Sequence, residues 1–151
     1  MPKMTLMLLP FLAIGSIVFR DCGERSPECT RFFDLPREQR ELHFEKYSVD
    51  KQIDLYLCGM KVEPPQFGFA GTIADRGETA VPTVLKRLKS ADREIDQEDL
   101  IYILEVMSDR GLLNGRQDII PAVNEVINNM KITQVKQNSL EMLKRIENTL
   151  Q

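Results

Sequence analysis

The stretch Ala74-Asp75-Arg76-Gly77 is followed closely by Ala80-Val81-Pro82-Thr83-Val84. It has a counterpart in Ser108-Asp109-Arg110-Gly111, followed by Ile119-Ile120-Pro121-Ala122-Val123. Each copy reads as the end of one helix, a connection, and the start of the next. Glycine stops a helix by taking the left-handed conformation, and arginine suits the negative end of the helix dipole. Proline is tolerated in a first helical turn, where its missing N–H leaves no bond unmade. Pro82 and Pro121 therefore lie either at that tolerated edge or at a bend slightly further in. The two prolines are 39 residues apart. Carried forward, the register sets Leu88 against Ile127. With one residue inserted, it sets Leu100 against Leu140 and Ile103 against Leu143.

Outward from this pair, the remaining chain carries the same three-and-four spacing of apolar residues, and no stretch sustains strict alternation. Helices are expected over 35–46, with Pro36 in the first turn behind Asp34, and from Ser48 to about Met60, with Val49, Ile53, Tyr56, Leu57 and Met60 apolar. Glu63-Pro64-Pro65 then forms a turn, and a helix follows over 66–76. Further helices are expected over 78–90, from an Asp96 cap to Gly111, over 118–130, and from Thr133 to Leu150 with Leu140, Leu143 and Ile146 inward. The fold class is all-α.

A unit of about 40 residues, two helices per unit, and a proline early in the first helix resembles the HEAT-like family of α-helical repeats. The resemblance covers residues 48–150 and implies a short right-handed α-solenoid of about three helix pairs, 48–76, 79–110 and 118–150. The 35–46 helix would act as a lid. The second helices lack the family's usual Asp and Arg arrangement, so an irregular bundle of the same helices is the alternative. The resemblance also implies function by binding along successive helices rather than by catalysis.

The 151 residues suffice for one domain with a real core. A net charge of -3, from 20 basic and 23 acidic residues, provides no basic footprint for nucleic acid. Thr5 to Phe19 carries no charge but is broken by Pro10 and is shorter than the roughly 20 apolar residues of a bilayer span. Behind a single Lys3 it has the layout of a secretory signal, with Ala13 and Gly15 allowing cleavage after Gly15; an uncleaved anchor is the alternative. Residues 1–19 are thus a signal peptide or membrane anchor, 20–34 a linker and 35–151 the helical domain. The expected location is the periplasm, or the outer face of the inner membrane.

Cys22 and Cys29 flank a turn-rich stretch that could close a disulfide loop in an oxidising compartment. Cys58, in an apolar helical run, reads as a buried free thiol. Three cysteines and one histidine, His43, leave little material for a metal site. Asp92 to Asp99 alternates acids in the manner of a calcium loop, but Gln97 replaces its turn glycine and Ile103 its closing glutamate. No H-E-x-x-H, P-loop, G-x-S-x-G or C-x-x-C pattern occurs. No catalytic residue, metal or cofactor is therefore assigned.

Two features carry a binding expectation. Arg76 and Arg110 could align on adjacent repeats and clamp an anion, or simply cap helices. Tyr56, Met60, Phe67 and Phe69 surround the Pro64-Pro65 turn and could expose an apolar patch, or pack in the core. Phe67 and Phe69 should face opposite ways on a helix. The expected function is a non-catalytic protein–protein interaction module of the cell envelope, with another protein as partner and membrane contact only through the leader. The alternatives are a periplasmic inhibitor or immunity-type protein that neutralises an enzyme, or an envelope hydrolase.

Overall fold

The computed structural model describes residues 26–151. The apolar leader, its cleavage position and Cys22 lie outside the described residues. All regular elements within them are helical: α1 Pro27–Phe33, α2 Arg37–Lys46, α3 Val49–Gly59, α4 Gly68–Ala74, α5 Val81–Ser90, α6 Glu94–Asp109, α7 Ile119–Asn129 and α8 Thr133–Thr149. A 3-10 turn, Gly77–Ala80, leads into α5.

Local chemistry sets most boundaries. Ser48 Oγ accepts from the Lys51 N–H at 3.4 Å and caps α3. Pro82 is the second residue of α5 and Pro121 the third of α7, both inside the turn whose N–H groups have no intrahelical partner. Both prolines are therefore at the tolerated edge, not at an interior bend. Gly77 and Gly111 take φ of +64° and +69°, the left-handed stop expected after each Asp-Arg pair. Two starts differ from expectation. Pro36, not Asp34, precedes α2, and α6 begins at Glu94, so Asp96 lies inside the helix and does not cap it.

The linker expected over 20–34 contains α1. Ser26 Oγ accepts from the Cys29 N–H at 3.2 Å, Pro27 takes the first helical position, and Cys29 and Phe32 face inward. The same helix overturns the expected cysteine pairing. Cys29 is bonded to Cys58 on α3, with Cα atoms 6.3 Å apart, so Cys58 is not a free thiol and Cys29 is not available to Cys22. That separation lies within the range a disulfide spans without moving backbone. Glu28 and Lys51 form an ion pair across the same two helices.

Helix contacts run in two series. α3 packs on α5 and α5 on α7, while α4 packs on α6 and α6 on α8. Within each pair, α3 meets α4, α5 meets α6 and α7 meets α8. Burial repeats at the same 39-residue step. Val84 and Val123 are fully buried, as are Leu88 and Ile127, while Pro82 and Pro121 are both exposed. The step continues without an insertion, contrary to the expected register: Leu100 corresponds to Ser139, Ile103 to Met142, Leu104 to Leu143 and Met107 to Ile146, all buried. Leu140, expected inward, is 45% exposed. Ser139, small and fully buried, takes the inward position on α8 one residue before it.

Polar contacts link the same neighbours. Asp54 of α3 pairs with Arg87 of α5, and Lys89 of α5 with Glu125 of α7 at 3.7 Å. In the other series, the Asn138 amide donates to Glu98 at 2.9 Å and Arg145 pairs with the mostly buried Glu105. That hydrogen bond raises the Arg145 pKa above its ordinary value.

Candidate functional site

Arg76 and Arg110, the two arginines of the repeated motif, are engaged within the fold. Arg76 donates to the carbonyls of Glu45 and Tyr47 (3.1 Å for Tyr47) at the C-terminal end of α2, and to Gln52 Oε1 at 3.3 Å. Gln52 is fully buried on α3 and donates its amide to the Phe44 carbonyl at 2.7 Å. Arg110 donates to the Gly71 carbonyl of α4 at 2.9 Å and pairs with Asp75 at 2.5 Å. Each arginine thus caps the helix of a neighbouring unit, where the dipole concentrates negative charge. A Cβ at Gly71 would meet Arg110 Nη2 at 2.8 Å, so a larger residue there would shift the guanidinium. The two guanidinium groups are thus held at the ends of different helices, α2 and α4.

The four apolar candidates separate. Tyr56 is fully buried and donates its hydroxyl to the Asp99 carbonyl at 3.1 Å. Met60 is buried as well. Phe69 stacks on Phe44, with ring centres 4.2 Å apart, inside a cluster completed by Phe32 and Phe33 of α1. All three side chains belong to the core, and of them only Phe69 lines the groove beside α2. Phe67 does the opposite. It is 48% exposed, and its ring meets the Tyr102 edge at 5.7 Å. The expected divergence of Phe67 and Phe69 is what the helix start produces.

Phe67 stands beside a groove of about 690 Å³ between α2 and the Pro64–Phe69 segment, within the range of about 300–1,000 Å³ common for ligand sites. Arg37, Arg40, Glu41 and Glu45 line it from α2, and Pro64, Pro65 and Gln66 from the opposite wall. Arg37 is held by Glu41 at 2.9 Å, which raises the Arg37 pKa. The Arg40 guanidinium sits 5.6 Å from the Phe33 ring centre, a cation–π distance. Its Nε is buried with no hydrogen-bond partner. Sequence reasoning missed Arg40, because an arginine in a charged helix gives no sign of which neighbour it will lack.

The acids of the 92–99 run are spread among structural contacts. Glu94 accepts from the Lys131 and Ile132 N–H groups, both at 2.7 Å, and so caps α8. Those two backbone donors hold its carboxyl below the usual carboxylate range. Asp96 lies 3.6 Å from Lys61 Nζ, and Asp99 is buried on α6. Among the described residues no group of three or more His, Cys, Asp or Glu could hold a metal ion. His43 is exposed in the last turn of α2. No helix of the described residues is long and apolar enough to cross a membrane. No protein-family model, no curated protein and no solved structure matches the chain.

Proposed function

We propose that the chain is a non-catalytic interaction module of the cell envelope. In this reading three helical hairpins, α3–α4, α5–α6 and α7–α8, stack side by side as a short HEAT-like solenoid, closed at one end by α1 and α2. The 39-residue step in burial and the two series of helix contacts support the stacking. The same units then serve as a rigid frame, and binding falls to what the frame leaves uncovered. The observation that carries the functional reading is the groove with half-exposed Phe67 at its rim, the one large aromatic among the exposed apolar side chains of the described residues. Aromatic side chains bring large contact area at low entropic cost and are enriched where partners bind tightly.

Export is part of the proposal. The charge-free leader supports it, and so does the Cys29–Cys58 bond, a cross-link that persists in oxidising compartments and is rare in the cytosol. The test is crosslinking and affinity capture with the full chain from an envelope fraction, followed by native mass spectrometry. The expected result is one protein recovered at fixed stoichiometry. Recovery of nothing reproducible, or turnover of a hydrolase substrate panel by the purified chain, overturns the reading.

A further inference from the structure

Two features of the α2 groove point to the chemistry of its occupant. The first is Arg40. Its Nε is removed from water without a hydrogen-bond partner, and among the described residues no carboxylate pairs with its guanidinium. Arg40 lines the groove, and a carboxylate matches the planar guanidinium fork. The groove's other cation, Arg37, is already paired with Glu41. The second feature is the rim. Pro64, Phe67 and Gly68 are exposed, and nothing lies within 4 Å of where a Gly68 Cβ would stand, so another backbone can approach closely there. An open trough with one unpaired cation and an aromatic edge suits a chain segment running through it rather than an enclosed small molecule.

Resting on the interaction reading above, we propose that this groove takes a short extended peptide carrying one carboxylate beside a bulky apolar side chain. The carboxylate pairs with Arg40, and the apolar side chain packs on Phe67 and the Pro64-Pro65 wall. Glu45, which also lines the groove and is exposed, disfavours further acids in the segment. A single acid with neutral or basic neighbours is therefore selected over an acidic run.

The test is selection of a phage-displayed library of random linear peptides on the full chain, followed by fluorescence anisotropy with the enriched peptides. The expected consensus is one Asp, Glu or C-terminal carboxylate within a few residues of Phe, Trp, Leu or Ile. Phe67→Ser and Arg40→Gln should each weaken binding about tenfold or more. Arg40→Lys should fall between, and Leu140→Ser on α8 should bind as the unmodified chain does. Phe67 is exposed, so its variant keeps the test valid even if Arg40→Gln loosens the contact with Phe33; circular dichroism melts verify both. No enrichment, a consensus without the acid–apolar pairing, or undiminished binding by both groove variants overturns the proposal. A captured protein partner held equally well by both variants overturns the groove alone and leaves the interaction reading standing. Failure to capture any partner overturns the interaction reading instead.

Discussion

Removing the Cys29–Cys58 cross-link, by substituting both residues with alanine, should cost the protein a large part of its stability. The bond joins residues 29 positions apart. In the chain-entropy account, closing a loop of that length removes about 12 cal/mol/K from the unfolded ensemble, or about 3.6 kcal/mol at 25 °C. Against a typical total of about 5–15 kcal/mol, this is a substantial share. Cys29 is buried and Cys58 partly so, and replacing them with alanine removes one sulfur atom from each, so the entropic part dominates. Urea unfolding followed by circular dichroism measures the difference. With a slope near 1.5 kcal/mol/M, the midpoint should fall by roughly 2 M. The effect should also be uneven. α1 is seven residues long and owes its place to Cys29, Phe32 and the Glu28–Lys51 pair. Its amides should exchange rapidly in the variant, while those of α6, whose core residues are fully buried, keep most of their protection. A midpoint shift below about 0.3 M would refute the reasoning, since the chain-entropy account gives a cross-link of that loop length several times that effect. So would alkylation of Cys29 and Cys58 in the unreduced, native chain.

Three further outcomes follow from other contacts. Arg76→Met leaves the Glu45 and Tyr47 carbonyls and the buried Gln52 oxygen without their donor, so thermal unfolding should show a loss of about 1–3 kcal/mol; an unchanged midpoint would mean the arginine does no capping. Glu94→Gln should cost about 1 kcal/mol at neutral pH by weakening the cap on α8. The Glu94 pKa is lowered in the folded state, so its stabilisation is complete above the unfolded value of about 4.3 and is lost as pH falls through the folded value; the gap between variant and parent should close on acidification, and a gap that widens instead contradicts the assignment. Leu88→Ala and Ile127→Ala, both fully buried and one 39-residue step apart, should each cost about 2–5 kcal/mol; a near-zero cost for either, read by urea unfolding, would break the equivalence of the two units.

The helices were legible because their stops and starts are chemically marked. Gly77 and Gly111 end units, Pro82 and Pro121 begin them, and Ser48 caps one. The failures have specific causes. Cys22 and Cys29 were paired because they are close in sequence, but Ser26-Pro27-Glu28 is itself a helix start, and the helix it begins turns Cys29 toward α3. Chemical type matches Leu140 to Leu100, whereas burial matches Ser139 to it, and a buried serine carries no apolar signal in the sequence. Tyr56 and Met60 carry apolar surface that could serve a core or a partner, and pattern alone does not say that α1, α4 and α5 will cover α3. Arg40 was beyond reach for a related reason: a missing partner is a property of the whole arrangement.

The position of the groove follows from the shortness of α4. α4, the second helix of the first hairpin, has seven residues, against sixteen in α6 and seventeen in α8. Relative to α6 the shortfall is nine residues, about 13 Å of helix at 1.5 Å per residue. The cause is local. Pro64 and Pro65 lack the N–H groups a helix interior requires, so the chain crosses this stretch without regular structure and helix begins only at Gly68. In the next hairpin α6 runs unbroken from Glu94 to Asp109, with Leu100, Ile103 and Leu104 fully buried. The groove lies beside that irregular stretch, bounded on the far side by α2 and floored by Phe69. The aromatic cluster of α1, α2 and α4 closes the core beneath it, and Phe67, one residue before the helix, has no interior left to enter. The same two prolines that shorten α4 thus create both the opening and the exposed ring beside it. The uncovered surface is built by the sequence where Pro64 and Pro65 keep the chain out of helix.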